Sequence, residues 1–361
     1  MPEVSQKPSR ATMRDVANRA NVTIATVSHV LNGTAKISEE TTERVNAAIR
    51  ELNYRPNPHA QALRKPNSKS IGYLVPDITT NFYSSFFSCF VGRAYEYAYS
   101  VSAINFRHNP TYEAAELQNL IDKNVDAILV HNGFDDLESL ELVQRAGIPL
   151  ILLDRHQDGF SYIAFDNSRT VRRLVGLLKA AGYTHIGYIS ESVIVQNLND
   201  RYIGYLCGMQ ENGLETDLRD VLINRQPEID SMSIGYQLMQ RRIEEIGQHK
   251  LPEVFVASSD LVALGALRAI RKAGLHIPQD VAITGCDNLQ LSSYIDPPLT
   301  TIHQSAVTVA EHAWDMLHKL LAHPEQAPYV EMLTQQLVVR DSAPIPETLL
   351  HSKDYADFIL R

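Results

Sequence analysis

The sequence predicts an α/β protein in which a small helical bundle precedes two lobes, each built on a doubly wound parallel sheet. Three observations lead to this prediction. With 361 residues, the chain exceeds one ordinary domain. Residues 1–70 hold 11 lysines and arginines against 6 acidic residues, a net charge of +5, whereas the other residues hold 22 against 36, a net charge of −14. After residue 70, short apolar runs alternate with amphipathic segments of helical length, which is typical of parallel sheets covered by helices.

The composition narrows the class of protein further. Hydrophobic residues make up 44% of the chain and charged residues 21%, as in ordinary globular proteins. No apolar run approaches the roughly 20 residues of a membrane helix, and the polar start lacks the apolar segment of a secretory signal, so we expect a cytoplasmic protein without membrane contact. The three cysteines have no metal-ligand spacing, which predicts reduced thiols and no bound metal. We also expect no cofactor.

The basic beginning has the pattern of three short helices. Thr12, with Asp15 three residues later, forms a capping-box pattern, and Thr23 and Ser38 can cap a second and a third helix. The tight turn between the first two helices predicts a helix-turn-helix, although the same pattern also fits a plain three-helix bundle. In a helix-turn-helix, the second helix enters the major groove of DNA.

The second helix would then carry the residues that read DNA. We expect Ile24 and Ala25 to touch thymine methyl groups, and His29 to hydrogen-bond a base edge, most readily N7 or O6 of guanine. Thr26 and Ser28 are candidates for phosphate contacts. The DNA-binding candidates of this helix are Thr23, Ile24, Ala25, Thr26, Ser28, His29 and Asn32. Its expected buried members are Ala25, Val27, Val30 and Leu31.

Residues 54–70 predict a short helix between prolines. Pro58 can begin this helix and Pro66 stops it after about two turns, a length that is marginal in water for an isolated helix. Leu63 beside Arg64 suits an apolar wedge inserted in the DNA minor groove, with a cation for the phosphates. A plain linker, by contrast, would be polar and disordered.

The stretches TMRDVANRANVTIATVSHVLNG and RVNAAIRELNYRPNPHAQALR resemble the amino-terminal signature of the LacI/GalR family of bacterial transcriptional regulators. The resemblance implies that residues of the second helix read bases, that Tyr54 contacts the DNA backbone, and that Leu63 opens the central step of a palindromic operator. His29 resembles the purine-repressor branch of the family. The expected segments are a helix-turn-helix domain (1–57), a hinge helix and linker (58–69), a two-lobed domain (70–345) and a C-terminal extension (346–361).

The apolar runs of the larger part predict two sets of buried parallel strands, hence two lobes with ligands beyond the carboxyl ends of the strands. The predicted strands are 71–77, 101–106, 126–132 and 149–154, then 185–190, 220–226, 253–260 and 281–287. Polar residues stand at those ends: Asp77, His131, Asp154, Arg155, Ser190, Ser259, Asp260, Asp287 and Asn288. Taken singly, each is as readily a strand-end cap or turn former. Together they suit a polyhydroxylated ligand, because every hydroxyl needs a partner.

Here too the stretches SIGYLVPDITTNFY, PLILLDR, RYIGY and DPPLTTIHQ resemble the LacI/GalR family, whose regulatory half is similar to periplasmic sugar-binding proteins. The effector-binding set that the resemblance and the strand ends together imply is Asp77, Phe82, Tyr83, His131, Asp154, Arg155, Ser190, Arg201, Ser259, Asp260 and Asp287. Asp230 departs from the family pattern, because members often place an aromatic residue near this position. The ending ETLLHSKDYADFILR extends beyond the usual stop.

Three classes of function are compatible with parts of this pattern. The leading interpretation is a repressor that binds operator DNA as a homodimer or higher oligomer and responds to a sugar or sugar derivative, with a purine or nucleoside as the alternative effector. An enzyme could use Asp260 and Asp287 as paired carboxylates, but the sequence has no HExxH, nucleophile elbow or phosphate loop. A solute-binding protein would share the lobes but not the first 65 residues. Release and tightening of DNA binding by the effector are both open.

Overall fold

The computed structural model describes residues 11–32, 35–54, 68–107, 109–133, 136–225, 230–246 and 251–360, without the side chains of Asn32 and Ile246. These residues form two units that divide between Ser68 and Lys69. The predicted hinge helix, with Leu63 and Arg64, lies outside the described residues. Within the described part of the chain, no helix is both long and apolar enough to cross a membrane.

The first unit contains three short helices whose ends follow from capping residues. They are α1 Met13–Ala20, α2 Ile24–Asn32 and α3 Glu39–Glu51. Thr12 and Asp15 form the predicted capping box, in which each side chain accepts a hydrogen bond from the backbone N–H of the other residue. Helix α1 ends at Asn21, whose φ of 52° is left-handed. The Ser38 side chain begins α3 by accepting a hydrogen bond from the N–H of Thr41.

A small apolar core holds these three helices together. Its buried members are Val16, Ala17, Ala20, Val27, Val45, Ala48 and Tyr54. Val30 and Leu31 are half-buried and pack against it, as expected. Ala25 is exposed, so its predicted place on the buried face of α2 is wrong. Residues two apart on a helix lie on nearly opposite faces, and Val27 occupies the inner one.

The second unit alternates strands and helices. It begins with β1 Ser70–Val75, α4 Asn81–Glu96, β2 Ser100–Asn105, α5 Pro110–Asp122, β3 Ala127–His131, α6 Leu137–Arg145, β4 Leu150–Leu153 and β5 Ser161–Phe165. It continues with α7 Asn167–Ala180, β6 Ile186–Ser190, α8 Gln196–Glu211, β7 Val221–Ile223, α9 Ser231–Ile246, β8 Val254–Ala257, α10 Asp260–Lys272 and β9 Ala282–Asp287. It ends with β10 Thr300–His303, α11 Ala306–Ala322, β11 Val330–Leu333, β12 Gln336–Val338 and α12 Glu347–Leu350.

These strands form two sheets, which confirms the predicted two-lobed α/β fold. The lobe 1 sheet has the order β11-β5-β4-β3-β1-β2 and its strands are parallel. The lobe 2 sheet has the order β12-β10-β9-β8-β6-β7, and its strands are parallel except for β12, which runs antiparallel to β10. The eight predicted strands are all present, and β5, β10, β11 and β12 are four strands that were not predicted.

The missed strands belong to connections between the lobes. Within the described residues the chain passes from lobe 1 to lobe 2 between β5 and α7, returns between β10 and α11, and passes to lobe 2 again between β11 and β12. Helix α11 packs in the core of lobe 1, where Trp314 contacts Phe90. Each lobe is therefore completed by a segment distant in sequence, and the carboxyl ends of both sheets lie near the connections.

The end of the chain packs on lobe 2. Phe358 is 1% exposed and shares a core with Leu337 of β12. The N–H of Leu337 donates to the carbonyl of Phe358, and the N–H of Leu360 donates to the carbonyl of Leu337. Arg173 of α7 pairs with both oxygens of Asp357, at 2.7 and 3.0 Å, and lies over the Phe358 ring. The extension thus covers the edge of the lobe 2 sheet, which would otherwise expose unpaired backbone groups.

Phe358→Ala should lower the free energy of unfolding by about 3 to 5 kcal/mol, because it removes a fully buried aromatic side chain. Urea unfolding followed by circular dichroism measures this loss. Leu360→Ala is the matched control, because Leu360 is 37% exposed and should cost less than about 1 kcal/mol. Equal midpoints for the two variants would contradict this role of the extension.

Candidate functional site

The outer face of α2 carries the residues predicted to read DNA. Its exposed members are Thr23, Ile24, Ala25 and His29, and its half-buried members are Thr26 and Ser28. The Thr23 hydroxyl accepts a hydrogen bond of 3.1 Å from the N–H of Thr26 and so caps the helix. Apolar and neutral groups at the start of the helix are suited to contact base edges.

The other residues predicted at the DNA are placed differently. Tyr54 is 8% exposed and packs in the bundle core, so most of its ring serves stability, and its backbone contact stays a prediction. The side chain of Asn32, together with Leu63 and Arg64, falls outside the described residues. Contacts of these three with DNA also stay predictions.

In the second unit, the Asp154 carboxylate lies where the two lobes meet. It follows β4 of lobe 1 and accepts hydrogen bonds from the side-chain amide of Asn197 on α8 at 2.8 Å and from that of Asn167 on α7 at 3.4 Å, both in lobe 2. Asn132, which follows β3, approaches the same carboxylate at 3.5 Å and also donates to the Tyr83 hydroxyl at 2.9 Å. We call these five residues the Asp154 network.

Two members of the Asp154 network have backbones that L-residues seldom adopt. Asn132 has a φ of 44° and Asp154 a φ of 51°, both in the left-handed region. Asparagine and aspartate tolerate this region better than other residues with a side chain. The left-handed turn ends β3 and β4 abruptly and brings both side chains to the carboxyl edge of the sheet. Such strain is frequent at ligand sites.

On the lobe 2 side, Arg201 joins the Asp154 network to the ends of the strands. Its Nε donates to the Asn167 side-chain oxygen at 2.9 Å, and its Nη1 donates to the Ser258 carbonyl after β8 at 2.5 Å. Burial raises the pKa of Asp154, whereas Arg201 and the amide hydrogen bonds oppose that rise. Burial likewise raises the pKa of Asp287 well above its usual range, against the attraction of Arg201.

Aromatic rings surround His131 at the carboxyl end of β3. The Phe82 ring lies 5.7 Å, the Tyr83 ring 5.2 Å and the Phe86 ring 4.8 Å from the centre of the imidazole. The Tyr73 hydroxyl is 2.7 Å from Nδ1 of His131. Because burial lowers the pKa of His131 to about 3, the imidazole is neutral at physiological pH.

Several residues that were predicted to bind the effector form hydrogen bonds within the protein. Ser259 caps α10, Asp77 accepts hydrogen bonds from Thr79, and Ser190 donates to the carbonyl of Ser192. These three therefore have the capping and turn roles that were the alternative expectation for strand-end residues. Their contacts with an effector stay predictions.

Asp260 and Arg155 are also engaged inside the protein. The Asp260 carboxylate is buried and accepts hydrogen bonds from Thr301, Ser292 and the N–H of Leu289, at 2.5, 2.5 and 2.8 Å. It thereby ties the loop after β9 to α10. Arg155 is 1% exposed, and its guanidinium lies against Gly133 of lobe 1 beside Glu113, so this arginine is part of the interior of that lobe.

The amides of the site were not predicted from the sequence. Asn132, Asn167 and Asn197 supply the donors to Asp154, and Gln335 donates to the Asn167 oxygen at 3.4 Å. Asn132 ends the predicted strand 126–132, so its position carried a signal, whereas Asn167 follows β5, a strand that was not predicted. Nothing in the local sequence marks Asn197 or Gln335, because each reaches the site only through the packing of the lobes.

A helix-turn-helix bundle joined to a two-lobed domain with a polar network between the lobes defines a DNA-binding regulator of transcription. Residues 12–57 match the family described as bacterial regulatory proteins, lacI family, and residues 175–343 match a periplasmic binding protein-like domain. The HTH-type transcriptional repressor PurR of Pasteurella multocida is 31% identical over 338 residues, which cover 92% of this chain and 98% of that protein. Its counterpart in Glaesserella parasuis is 33% identical over 349 residues, with the same coverage.

A solved structure shows the same architecture. The lac repressor dimer bound to operator and the anti-inducer ONPF matches with a TM-score of 0.76 and 26% identity, over 93% of this chain and 100% of that chain. The protein belongs to the lacI family of bacterial regulatory proteins. Its relatives are transcriptional regulators, and it is not an enzyme.

The buried imidazole of His131 predicts that the free energy of unfolding depends on pH. Its pKa is about 3 in the folded protein and about 6.5 in an unfolded chain, so the unfolded state binds an additional proton between these values. The stability contributed by neutral His131 is therefore complete above pH 6.5 and is lost as the pH falls, with a slope approaching about 1.4 kcal/mol per pH unit.

Urea unfolding at a series of pH values from 7 to 4.5 measures this slope. In His131→Asn it should be shallower than in the wild type, because asparagine does not titrate. His351→Asn removes an exposed histidine and should keep the wild-type slope. Parallel curves for wild type and His131→Asn would show that His131 does not titrate as argued.

Proposed function

We propose that this protein represses transcription by binding a pseudopalindromic operator as a homodimer, and that a purine base or nucleoside held between the lobes controls this binding. The observation that carries the proposal is the Asp154 network, which joins side chains of both lobes at the carboxyl ends of their strands. A ligand that contacts both lobes changes the balance between their arrangements. That change is the required link between effector and operator.

The DNA part of the proposal rests on α2. Its exposed groups include the Ile24 side chain, 41% exposed, and the His29 imidazole, which suit thymine methyl groups and guanine acceptors respectively. The lac repressor structure that this chain resembles is described as a dimer on its operator. A dimer with one recognition helix per subunit binds two half-sites about one helical turn apart.

For the effector, a purine is favoured over the sugar that the sequence pattern suggested. The relatives carry the name PurR, which denotes a purine-responsive repressor. His29 in the recognition helix resembles the same branch of the family. The polar residues at the strand ends, which led to the sugar, are equally compatible with the amino groups and ring nitrogens of a base.

The chemistry of the Asp154 network suits the edge of a base. A carboxylate accepts hydrogen bonds from amino and ring N–H groups, while the Asn132 and Asn197 amides both donate and accept. Tyr83 and Phe82, whose ring centres are 5.9 Å apart, offer aromatic surface on lobe 1. Asp230 caps α9 near the position where relatives often have an aromatic residue, so stacking would rely on the lobe 1 rings.

Purines should raise the melting temperature of the full-length protein, because a ligand that binds only the folded state stabilises it. Thermal-shift assays would compare adenine, guanine, hypoxanthine and their nucleosides with ribose, glucose and cellobiose. At about 100 times its Kd, a binding ligand contributes about 2.7 kcal/mol.

Asp154→Ala is the matching variant, and it should lose the purine shift. Asp158→Ala, which lies outside the Asp154 network, should keep it. A shift produced by a sugar and by no purine would return the effector to the carbohydrate class.

His29→Ala should weaken operator binding by about 1 to 3 kcal/mol and relax the preference at one base pair in each half-site, because one base-edge contact is lost. Fluorescence anisotropy on single-base operator variants measures both effects. Affinity for random DNA should change little. An unchanged preference at every position would exclude base reading by His29.

A further inference from the structure

A second set of contacts joins the lobes beside the Asp154 network. The side-chain amide of Gln196, the first residue of α8 in lobe 2, reaches the backbone of His156 in the loop after β4 of lobe 1. The N–H of His156 donates to Gln196 Oε1 at 2.8 Å, and Gln196 Nε2 donates to the His156 carbonyl at 3.1 Å. One side-chain amide thus pairs with both hydrogen-bonding groups of one backbone residue.

The surrounding groups strengthen this pairing. Gln196 Nε2 also lies 3.3 Å from the imidazole Nε2 of His156, and the other imidazole nitrogen is 4.0 Å from the Asp200 carboxylate, one turn along α8. Helix α8 begins without a side-chain cap, and the residue before it, Val195, has no polar side-chain atom. The side-chain amide of Gln196 therefore hydrogen-bonds the loop of lobe 1 and does not cap its own helix.

The sequence spacing couples this pairing to the Asp154 network. His156 is two residues after Asp154 on the same loop, and Gln196 is directly before Asn197 on the same helix. Fixing the His156 backbone against Gln196 sets the register in which the Asp154 carboxylate meets the Asn197 amide at 2.8 Å. Without that register, the left-handed backbone at Asp154 would be free to relax.

We propose that Gln196 is a positioning residue, which clamps the loop of lobe 1 through the His156 backbone and so holds Asp154 in place for the effector. Gln196 acts through Asp154 and needs no contact of its own with the ligand. This clamp, the pair of hydrogen bonds between Gln196 and the His156 backbone, needs no ligand. It therefore also favours the arrangement in which the lobes are in contact. Only the ligand-binding part of its test rests on the purine effector proposed above.

Hydrogen exchange of the full-length protein, read by mass spectrometry, tests the clamp directly. In Gln196→Ala, the segment containing His156 should exchange about tenfold faster, because two hydrogen bonds of ordinary strength are lost. Gln196→Glu should give a smaller increase, since its carboxylate still accepts from the His156 N–H but no longer donates to the carbonyl. Gln210→Ala, an exposed glutamine on the same helix, should exchange like the wild type.

The second readout is the affinity for whichever purine stabilises the wild type, measured by calorimetry. Gln196→Ala should weaken it by about tenfold, with Gln196→Glu intermediate and Gln210→Ala unchanged. Equal exchange in all four proteins would overturn the clamp. Faster exchange without loss of affinity would overturn the positioning role. If no purine binds the wild type, the proposed effector fails, while the exchange experiment still decides whether the clamp exists.

Discussion

The arrangement of the two lobes depends on one buried carboxylate, that of Asp154. A carboxylate taken out of water destabilises the folded state unless hydrogen bonds replace its hydration. Here the replacement comes from three amides, and two of them belong to the opposite lobe. Separating the lobes would remove those two donors together, so the ionisation of Asp154 and the contact between the lobes are physically coupled. Burial raises the pKa of Asp154, while Arg201 and these amides act in the opposite direction.

The topology explains why amides meet at this point. Each connection between the lobes carries a buried amide side chain: Asn167 after β5, Gln304 after β10 and Gln335 after β11. Asn167 and Gln335 bond to each other, and Gln304 donates to the sulfur of Cys286 at 3.0 Å. The connections are buried where they pass between the sheets, and their polar groups must be satisfied there. Of the three, Asn167 also donates to Asp154, and Gln335 reaches the carboxylate only through Asn167.

Local sequence was sufficient for what depends on neighbouring residues. The capping box of Thr12 and Asp15, the helix starts at Thr23 and Ser38 and the first strands of each lobe all follow from spacing and hydrophobic pattern. Strand-end polarity likewise pointed to Asp154. The resemblance to relatives, and not the local pattern, supplied Arg201.

Other features could not be predicted, because they depend on segments distant in sequence. Strands β5, β10, β11 and β12 are only three to five residues long. They are also not joined directly to a neighbouring strand of the same sheet by an α-helix, so the alternation of strand and helix does not reveal them. Asn197 and Gln335 become site residues only when two lobes pack. Conversely, Arg155 and Asp260 look like open strand-end residues in the sequence, yet packing engages them internally.

The choice of amides over charged partners between the lobes has a consequence for signalling. An arginine paired with Asp154 across the lobes would hold them together by the attraction of two opposite charges, and both charges would have to be hydrated again whenever the lobes moved apart. Neutral amides can exchange a carboxylate partner for water or a ligand at lower cost. Arg201 is instead held within lobe 2 by Asn167 and Ser258, so its direct hydrogen bonds stay with that lobe when the lobes move. For the effector control proposed above, such a cleft favours two arrangements of similar free energy, the condition under which the binding energy of a small effector suffices to choose between them.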